Sequence, residues 1–184
     1  MQRRFRYWVM VAVIAAGCAG PATDRPAVSD AADVWFIQHL VPHLRQTSSI
    51  VGLSRDRITN PELARLADTI DQQGQAHLQL LQGWLDRRGL APHAHSHQGA
   101  DRRRQSDLDR LARAPGPRFD LAFLEVMAAR HRAGGKLAAT ELAQGSLPEV
   151  RQLARQLQAE HGRQLRQMSA WRNAWSSAGR PGPA

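Results

Sequence analysis

The histidines of this sequence are spaced so that groups of them could bind a metal ion. Three of them, His93, His95 and His97, alternate with small residues in a polar stretch that follows Pro92. Imidazoles at this spacing can converge on one Cu(II), Ni(II) or Zn(II) ion, and intrinsic affinity favours copper. The alternative is a solvated linker that holds no metal.

Four further histidines lie within segments of helical periodicity. His131 and His161 fall on apolar stripes, whereas His43 and His77 lie at the edges of such stripes. The four positions have similar depth in their helices, so the sequence predicts a central layer where they cluster, with Arg130 beside them. Neutral imidazoles in such a layer can bind a metal ion. The alternative is a set of core histidines that hydrogen-bond only to protein partners.

Apolar residues at three- and four-residue spacing indicate that helices position these histidines. They predict four long helices, over residues 34–55, 60–88, 119–143 and 147–175. Thr59 with Glu62, and Ser146 with Glu149, form the pattern of a capping box at the start of a helix. Gly89 is placed to end the second of these helices.

One pattern of helix and turn residues occurs twice in the chain. Residues 33–88 align with residues 120–175 at a constant offset and without a gap, so that Asp33 falls on Asp120. The sequence therefore predicts a duplicated helical hairpin. One hairpin cannot cover its own apolar stripe, so we expect an all-α fold. The expected architecture is a four-helix bundle of two hairpins related by a pseudo-twofold axis.

The openings of the first and third helices resemble a known bacterial family. Residues 36–44 (FIQHLVPHL) and 119–132 (FDLAFLEVMAARHR) are similar to the histidine-pair motif of the family called domain of unknown function 305. The resemblance implies a ferritin-like fold, export from the cell and, in some members, copper binding. Each histidine pair is halved here, because Leu44 follows His43 and Arg130 precedes His131.

The amino terminus has the three parts of a secretory signal. Basic residues at 3, 4 and 6 precede an apolar run over residues 9–16, and small residues lead to Cys18. This predicts a signal peptide over residues 1–17. Ala15-Ala16-Gly17-Cys18 resembles a lipoprotein box, so we expect Cys18 to carry a lipid and residues 18–32 to form a tether. Ordinary cleavage, which would give a secreted or periplasmic protein, is the alternative.

Charged residues, prolines and glycines define the remaining segments. Residues 89–118 are expected to be a His- and Arg-rich linker with one short helix over 106–113, and residues 176–184 a disordered tail. The formal net charge is +9. Because the arginines are spread along the helices rather than gathered in one stripe, solvated helix faces are favoured over a nucleic-acid partner.

The sequence lacks the patterns of common catalytic sites. It contains no Glu-x-x-His motif of a ferritin-type di-iron site and no Gly-rich phosphate loop, so no enzyme is predicted. We expect an exported, lipid-anchored helical protein that binds copper or another transition metal and reaches the membrane through its anchor. The first alternative is an envelope structural or protein-interaction module that has lost the metal site. The second is an anion or polyanion binder.

Overall fold

Helices make up nearly all of the part of the chain that the structure describes. This computed structural model describes residues 29–90 and 98–178. The helices in these two ranges are α1 (Ser29–Ser54), α2 (Pro61–Arg87), α3 (Gln98–Arg113), α4 (Pro117–Gln144) and α5 (Pro148–Ala178). A short 3-10 turn, Arg55–Arg57, follows α1. No strand occurs in the two ranges, so the all-α prediction is confirmed.

The four long helices enclose two adjoining apolar clusters. One cluster contains Phe36 and Leu81, and the other contains Phe123, Met127 and Met168. α1 packs against α2 and α4, α4 lies along α5, and α3 contacts α4 and α1. Each fully buried Leu, Ile, Phe or Met side chain contributes roughly 1.5–3 kcal/mol relative to exposure. The amphipathic stripes therefore hold the four long helices around one interior.

Two buried aspartates join the hairpins reciprocally. The carboxylate of Asp120 accepts hydrogen bonds from the Thr59 amide at 3.0 Å, the Thr59 hydroxyl at 2.7 Å and the Asn60 amide at 2.9 Å. The carboxylate of Asp33 accepts from the Ser146 amide and hydroxyl at 3.1 and 3.2 Å and from the Leu147 amide at 3.0 Å. Each repeat thus binds the turn of the other. A pseudo-twofold relation between the hairpins would produce such an exchange.

The start of α2 differs from the expected capping box. The side-chain oxygen of Asn60 accepts hydrogen bonds from the amides of Glu62 and Leu63, at 2.9 and 3.0 Å. Asn60, and not Thr59, is therefore the N-cap, and the prediction of Thr59 as the cap was wrong. The hydroxyl of Thr59 is occupied by Asp120, and the sequence alone could not show that contact because it crosses between repeats.

Gly89 and α3 shape the segment between the hairpins. Gly89 has φ = +62°, a conformation that glycine adopts without steric cost, and it ends α2 as expected. α3 begins at Gln98 rather than at Ser106. Arg57 holds its carboxyl end, since its guanidinium donates to the carbonyls of Leu111 and Ala114 at 3.0 and 2.7 Å.

Several predicted features lie outside the described residues. They are the signal peptide, Cys18, most of the tether, the histidines at 93, 95 and 97, and the last six residues of the tail. α1 begins at Ser29, within the segment expected to be tether, and α5 continues to Ala178. In the two described ranges, none of the helices combines the length and the hydropathy needed to cross a bilayer.

Candidate metal centre

Each of the four long helices contributes one histidine to the middle of the protein. His43 of α1, His77 of α2, His131 of α4 and His161 of α5 line one internal cavity of about 20 Å³. We call these four residues the histidine layer. A cavity of this volume has room for about one water molecule. The structure thus brings together the four histidines that helical periodicity singled out.

Gly134 of α4 makes space for two of these rings. A Cβ atom at this position would lie 2.6 Å from Cε1 of His161 and 3.0 Å from Nε2 of His43. Non-bonded carbon atoms do not approach as closely as 2.6 Å, so a larger residue would displace the rings. The imidazoles of His43 and His161 therefore meet over the bare backbone of α4, as glycine permits. The ring centroids of His131 and His161 are 4.6 Å apart.

A carboxylate orients His77. Its Nε2 lies 2.9 Å from Oε2 of Glu160, and the other oxygen of Glu160 accepts from the Gln156 amide at 2.9 Å. A carboxylate only accepts, so Nε2 of His77 carries the proton. Nδ1 of His77 is then a bare lone pair, and it is buried without a hydrogen-bond partner. Metal-ligating histidines are commonly held in this way, with the second ring nitrogen bonded to a carboxylate.

His131 is held at both nitrogens. Nδ1 lies 2.9 Å from the Met127 carbonyl, and Nε2 lies 2.7 Å from Oε1 of Gln164. A neutral ring has one proton and can donate to only one of these oxygens. The Nε2 of Gln164 donates to Oε1 of Gln73 at 2.9 Å, so the Oε1 of Gln164 faces the ring and accepts from Nε2 of His131 only in the tautomer with the proton on Nε2. Binding a metal through Nε2 would require Gln164 to turn away.

Burial favours the neutral form of three members of the histidine layer, His43, His131 and His161. Burial and the charge of Arg130 lower the pKa of His43 from 6.5 to about 3, with smaller contributions from His161 and His131. Burial, His131 and His77 lower the pKa of His161 to about 3. Burial also lowers the pKa of His131, although its hydrogen bond with Gln164 acts in the opposite direction. Neutral imidazoles, the form that binds metals, are therefore present at neutral pH.

Arg130 lies beside the histidine layer, as the sequence predicted, and is itself buried. Its Nε donates to the Thr47 hydroxyl at 2.9 Å, and one terminal nitrogen donates to the His43 carbonyl at 3.1 Å. The other terminal nitrogen pairs with Asp107 of α3 at 3.3 Å. This network ties α1, α3 and α4 together. Its positive charge also opposes the binding of a cation next to His43.

The side chains of this layer are of types that bind transition metals, but they are not arranged around one metal position. Within residues 29–90 and 98–178, no three His, Cys, Asp or Glu side chains are arranged to hold one metal ion. Two imidazole nitrogens, Nδ1 of His77 and Nδ1 of His161, are nevertheless buried without a partner. Uncharged imidazoles suit copper, zinc and nickel. These residues can therefore supply ligands once the side chains adjust.

Sequence reasoning gave Glu160 no role in this layer. It is not part of a Glu-x-x-His motif, because Arg163 stands three residues later, and its partner His77 lies 83 residues away. A usable signal was present. Glu160 follows Leu157 by three residues and precedes Gln164 by four, which places it on the inward face of α5. A carboxylate on an inward face needs a buried partner, and His77 is that partner.

His39 has a different environment from the histidine layer. Its ring stacks on Trp35 with centroids 3.9 Å apart, and its Nδ1 donates to the Trp35 carbonyl at 2.7 Å. It lies on α1 one turn before His43 but outside the internal cavity. His39 therefore serves as a comparison residue for the four central histidines.

Several solved structures have the same fold as this chain, at low sequence identity. A DUF305 fragment from Deinococcus radiodurans is 21% identical with a TM-score of 0.71, over 78% of this chain and 96% of that one. A DUF305 protein from Streptomyces coelicolor is 22% identical with a TM-score of 0.68, over 78% and 93%. CopM in its Cu(II)-bound form is 23% identical with a TM-score of 0.69, over 78% and 97%. These likenesses show the fold.

Comparison at the level of sequence leads to the same family. A search of curated proteins gives no match. The family described as Domain of unknown function (DUF305) matches residues 33–172, which include the first repeat, the segment between the repeats and all but the last three residues of the second repeat. The chain belongs to the DUF305 family.

Proposed function

We propose that this protein binds a transition-metal ion, copper in the first place, in its histidine layer. The observation that carries the proposal is the state of His77. Glu160 holds its Nε2–H and leaves Nδ1 buried and unpartnered, in a residue that lines a cavity with three other histidines. An unsatisfied buried nitrogen is costly unless a ligand or water uses it. A metal ion would supply that missing partner.

Copper is favoured by the chemistry of the donors and by the fold. Imidazole suits copper, and the affinity of a nitrogen site for divalent metals peaks at Cu(II). CopM, which has the same fold, has been solved in Cu(II)-bound, Cu(I)-bound and silver-bound forms. His77 and His161 would bind through Nδ1, and His43 would join them over Gly134. His131 would join only after Gln164 releases its Nε2.

The proposed role is binding or storage rather than catalysis. The cavity has room for about one water molecule, so it leaves little space for a substrate beside a metal ion. Arg130 weakens cation binding next to His43, so the ion would be held less tightly than in a layer without that charge. A site of this kind suits the capture and transfer of an ion.

We further propose that the protein is exported and lipid-anchored. The basic and apolar amino terminus and Cys18 support this location. The similar protein from Streptomyces coelicolor is described as a candidate secreted protein. The metal would then be bound outside the cytoplasm, and the lipid on Cys18 would keep the protein at the membrane.

Copper titration of the mature chain tests the metal site. The background chain carries Ala at positions 93, 95 and 97, so that the linker cannot contribute. In that background, His77→Gln keeps a donor for Glu160 but removes the Nδ1 lone pair. We expect the affinity for Cu(I) and Cu(II) to fall by about tenfold or more, which is the usual effect of removing a ligand or a group that orients one.

The matched control is His39→Ala in the same background, which removes a histidine outside the layer. It should leave the affinity unchanged, and circular dichroism should show equal helix content in all variants. Equal affinities for the parent chain, His77→Gln and His161→Ala would rule out the histidine layer as a copper site.

A structural or protein-interaction module is the second candidate function. Arg130 favours it, because this arginine joins α1, α3 and α4 where a metal-binding family would place a second histidine. In that case the histidine layer is a polar core cluster. The protein would then show no histidine-dependent copper affinity, and removal of Arg130 would lower stability without changing metal content.

A further inference from the structure

A large groove lies between α1, α3 and α4, on the outer side of His43. Its volume is about 700 Å³, and it is separate from the small cavity inside the histidine layer except that His43 borders both. Pro42, Ala133 and Leu137 form part of an apolar wall. Pockets of 300–1,000 Å³ with apolar walls and a few polar groups are typical sites for small molecules.

Three cations surround this groove without a counter-charge. Arg103, Arg132 and Lys136 line it, are exposed, and form no ion pair with any side chain that the structure describes. Among the described lining residues Asp107 is the only carboxylate, and Arg130 already pairs with it at 3.3 Å. The described walls of the groove therefore have an excess of positive charge.

The state of Arg130 agrees with this excess. It is an inner lining residue of the groove and is buried. The like charges of Arg103, Arg132 and Lys136 line the same groove and repel its guanidinium, while Asp107 pairs with it at 3.3 Å. A negative charge placed in the groove would relieve this repulsion. An anion is therefore the complementary occupant of the charged part, and an apolar group is the complementary occupant of the wall.

We propose that this groove binds a small organic anion, with its carboxylate, sulfonate or phosphate group between Arg103, Arg132 and Lys136. Its apolar body lies against Pro42, Ala133 and Leu137. The size of the groove fits one compact ligand rather than a strand of nucleic acid, and its charged rim is short. Anion binding in the groove does not require a metal ion in the histidine layer.

Fluorescence titration with 8-anilinonaphthalene-1-sulfonate tests the groove, because this dye combines a sulfonate with an apolar aromatic body. The neutral control probe is N-phenyl-1-naphthylamine, which has the same rings without the sulfonate. The full mature chain should bind the anionic dye. Its affinity for the neutral dye should be at least about tenfold lower, because the three cations attract only the sulfonate group.

Two triple variants separate the groove from the general surface charge. Arg103→Gln with Arg132→Gln and Lys136→Gln should weaken binding of the anionic dye by about tenfold. The matched control changes three exposed arginines of α5 that do not line the groove, namely Arg155→Gln, Arg163→Gln and Arg166→Gln. It alters the net charge equally and should change the affinity by less than about twofold, because exposed charges at a distance are screened.

A size variant checks the position of the ligand. Ala133→Phe places a ring on the exposed side of α4 within the groove and should abolish binding of the dye while the helix content stays the same. Equal weakening by the two triple variants would assign the dye to the surface as a whole and overturn the proposal. So would equal affinities for the two dyes, or unchanged binding in Ala133→Phe.

Discussion

At the scale of single residues, burial raises the pKa of Glu141, whereas it lowers the pKa of His43 and His161. Glu141 is 1% exposed, and burial and the neighbouring Asp33 raise its pKa from 4.5 to about 7. The folded protein therefore binds this proton more tightly than the unfolded chain does. Its stability contribution is fully present below pH 4.5 and is lost as the pH rises through 7. The lowered pKa values of His43 and His161 have the reverse effect, because stability is lost as the pH falls from 6.5 towards 3.

Glu141→Gln should therefore change the pH dependence of stability. The substitution removes the cost of a buried carboxylate, so the free energy of unfolding should rise at pH 8, by on the order of 2–3 kcal/mol. At pH 5 the wild-type carboxyl is protonated, and the two proteins should be nearly equal. Urea unfolding at both pH values measures the difference. Because the histidines are the same in both proteins, their contribution cancels. A stabilisation that is equal at pH 5 and pH 8 would contradict the raised pKa.

At the scale of helices and turns, the sequence predicted the elements better than the contacts between them. Apolar spacing was enough to place α1, α2, α4 and α5, since a stripe depends only on neighbours three and four residues away. The same spacing placed four histidines in one layer. The aspartate bonds to the turns could not be found in this way, because they join residues separated by 61 and 113 positions. The constant offset of the repeats contained the clue: Asp33 and Asp120 are equivalent, and so are Thr59 and Ser146.

Loss of one aspartate should destabilise the whole fold. Asp120→Ala removes the acceptor of three hydrogen bonds and leaves two buried or half-buried amides near residues 59 and 60 without a partner. Hydrogen bonds to a charged group contribute roughly 1.5–3 kcal/mol, and in combination we expect a loss of about 2–4 kcal/mol. Asp56→Ala, at an exposed position in the 3-10 turn, is the control and should change the free energy of unfolding by less than about 0.5 kcal/mol. A loss as small as that of the control would show that the turn is held by other contacts.

The linker histidines can be tested separately from the histidine layer by pH. A free imidazole has a pKa of about 6.5, so if the histidines at 93, 95 and 97 bind Cu(II), that affinity should collapse below about pH 6. Replacement of all three by Ala should remove one binding event at pH 7 without a change in helix content. His43 and His161 stay neutral at pH 5, so copper that remains bound at pH 5 belongs to the layer. A titration that is unchanged by the triple replacement would leave the linker as a solvated segment.

At the scale of the whole molecule, the proposed anchor decides where the helical domain acts. Lipidation of Cys18 would place two or more acyl chains in the bilayer, at about 0.8 kcal/mol for each buried CH₂ group. Cys18→Ser should move the protein from the membrane fraction to the soluble fraction of the cell. Mass spectrometry of the mature amino terminus provides the second measurement. An unmodified mature chain that starts at a residue other than Cys18 would replace the anchor with ordinary signal cleavage.

The reciprocal bonds of Asp33 and Asp120 have a consequence for more than one chain. Each hairpin of this protein contains an aspartate near its start and a hydroxyl-bearing turn, which are the two sides of the contact. The corresponding hairpin of a second copy can therefore form the same bonds as the other hairpin of the same chain. Two chains can therefore exchange hairpins and form an intertwined dimer that keeps the bonds between the aspartates and the turns. The same self-complementarity would have allowed a lone hairpin to associate with its twin before the two were joined in one polypeptide.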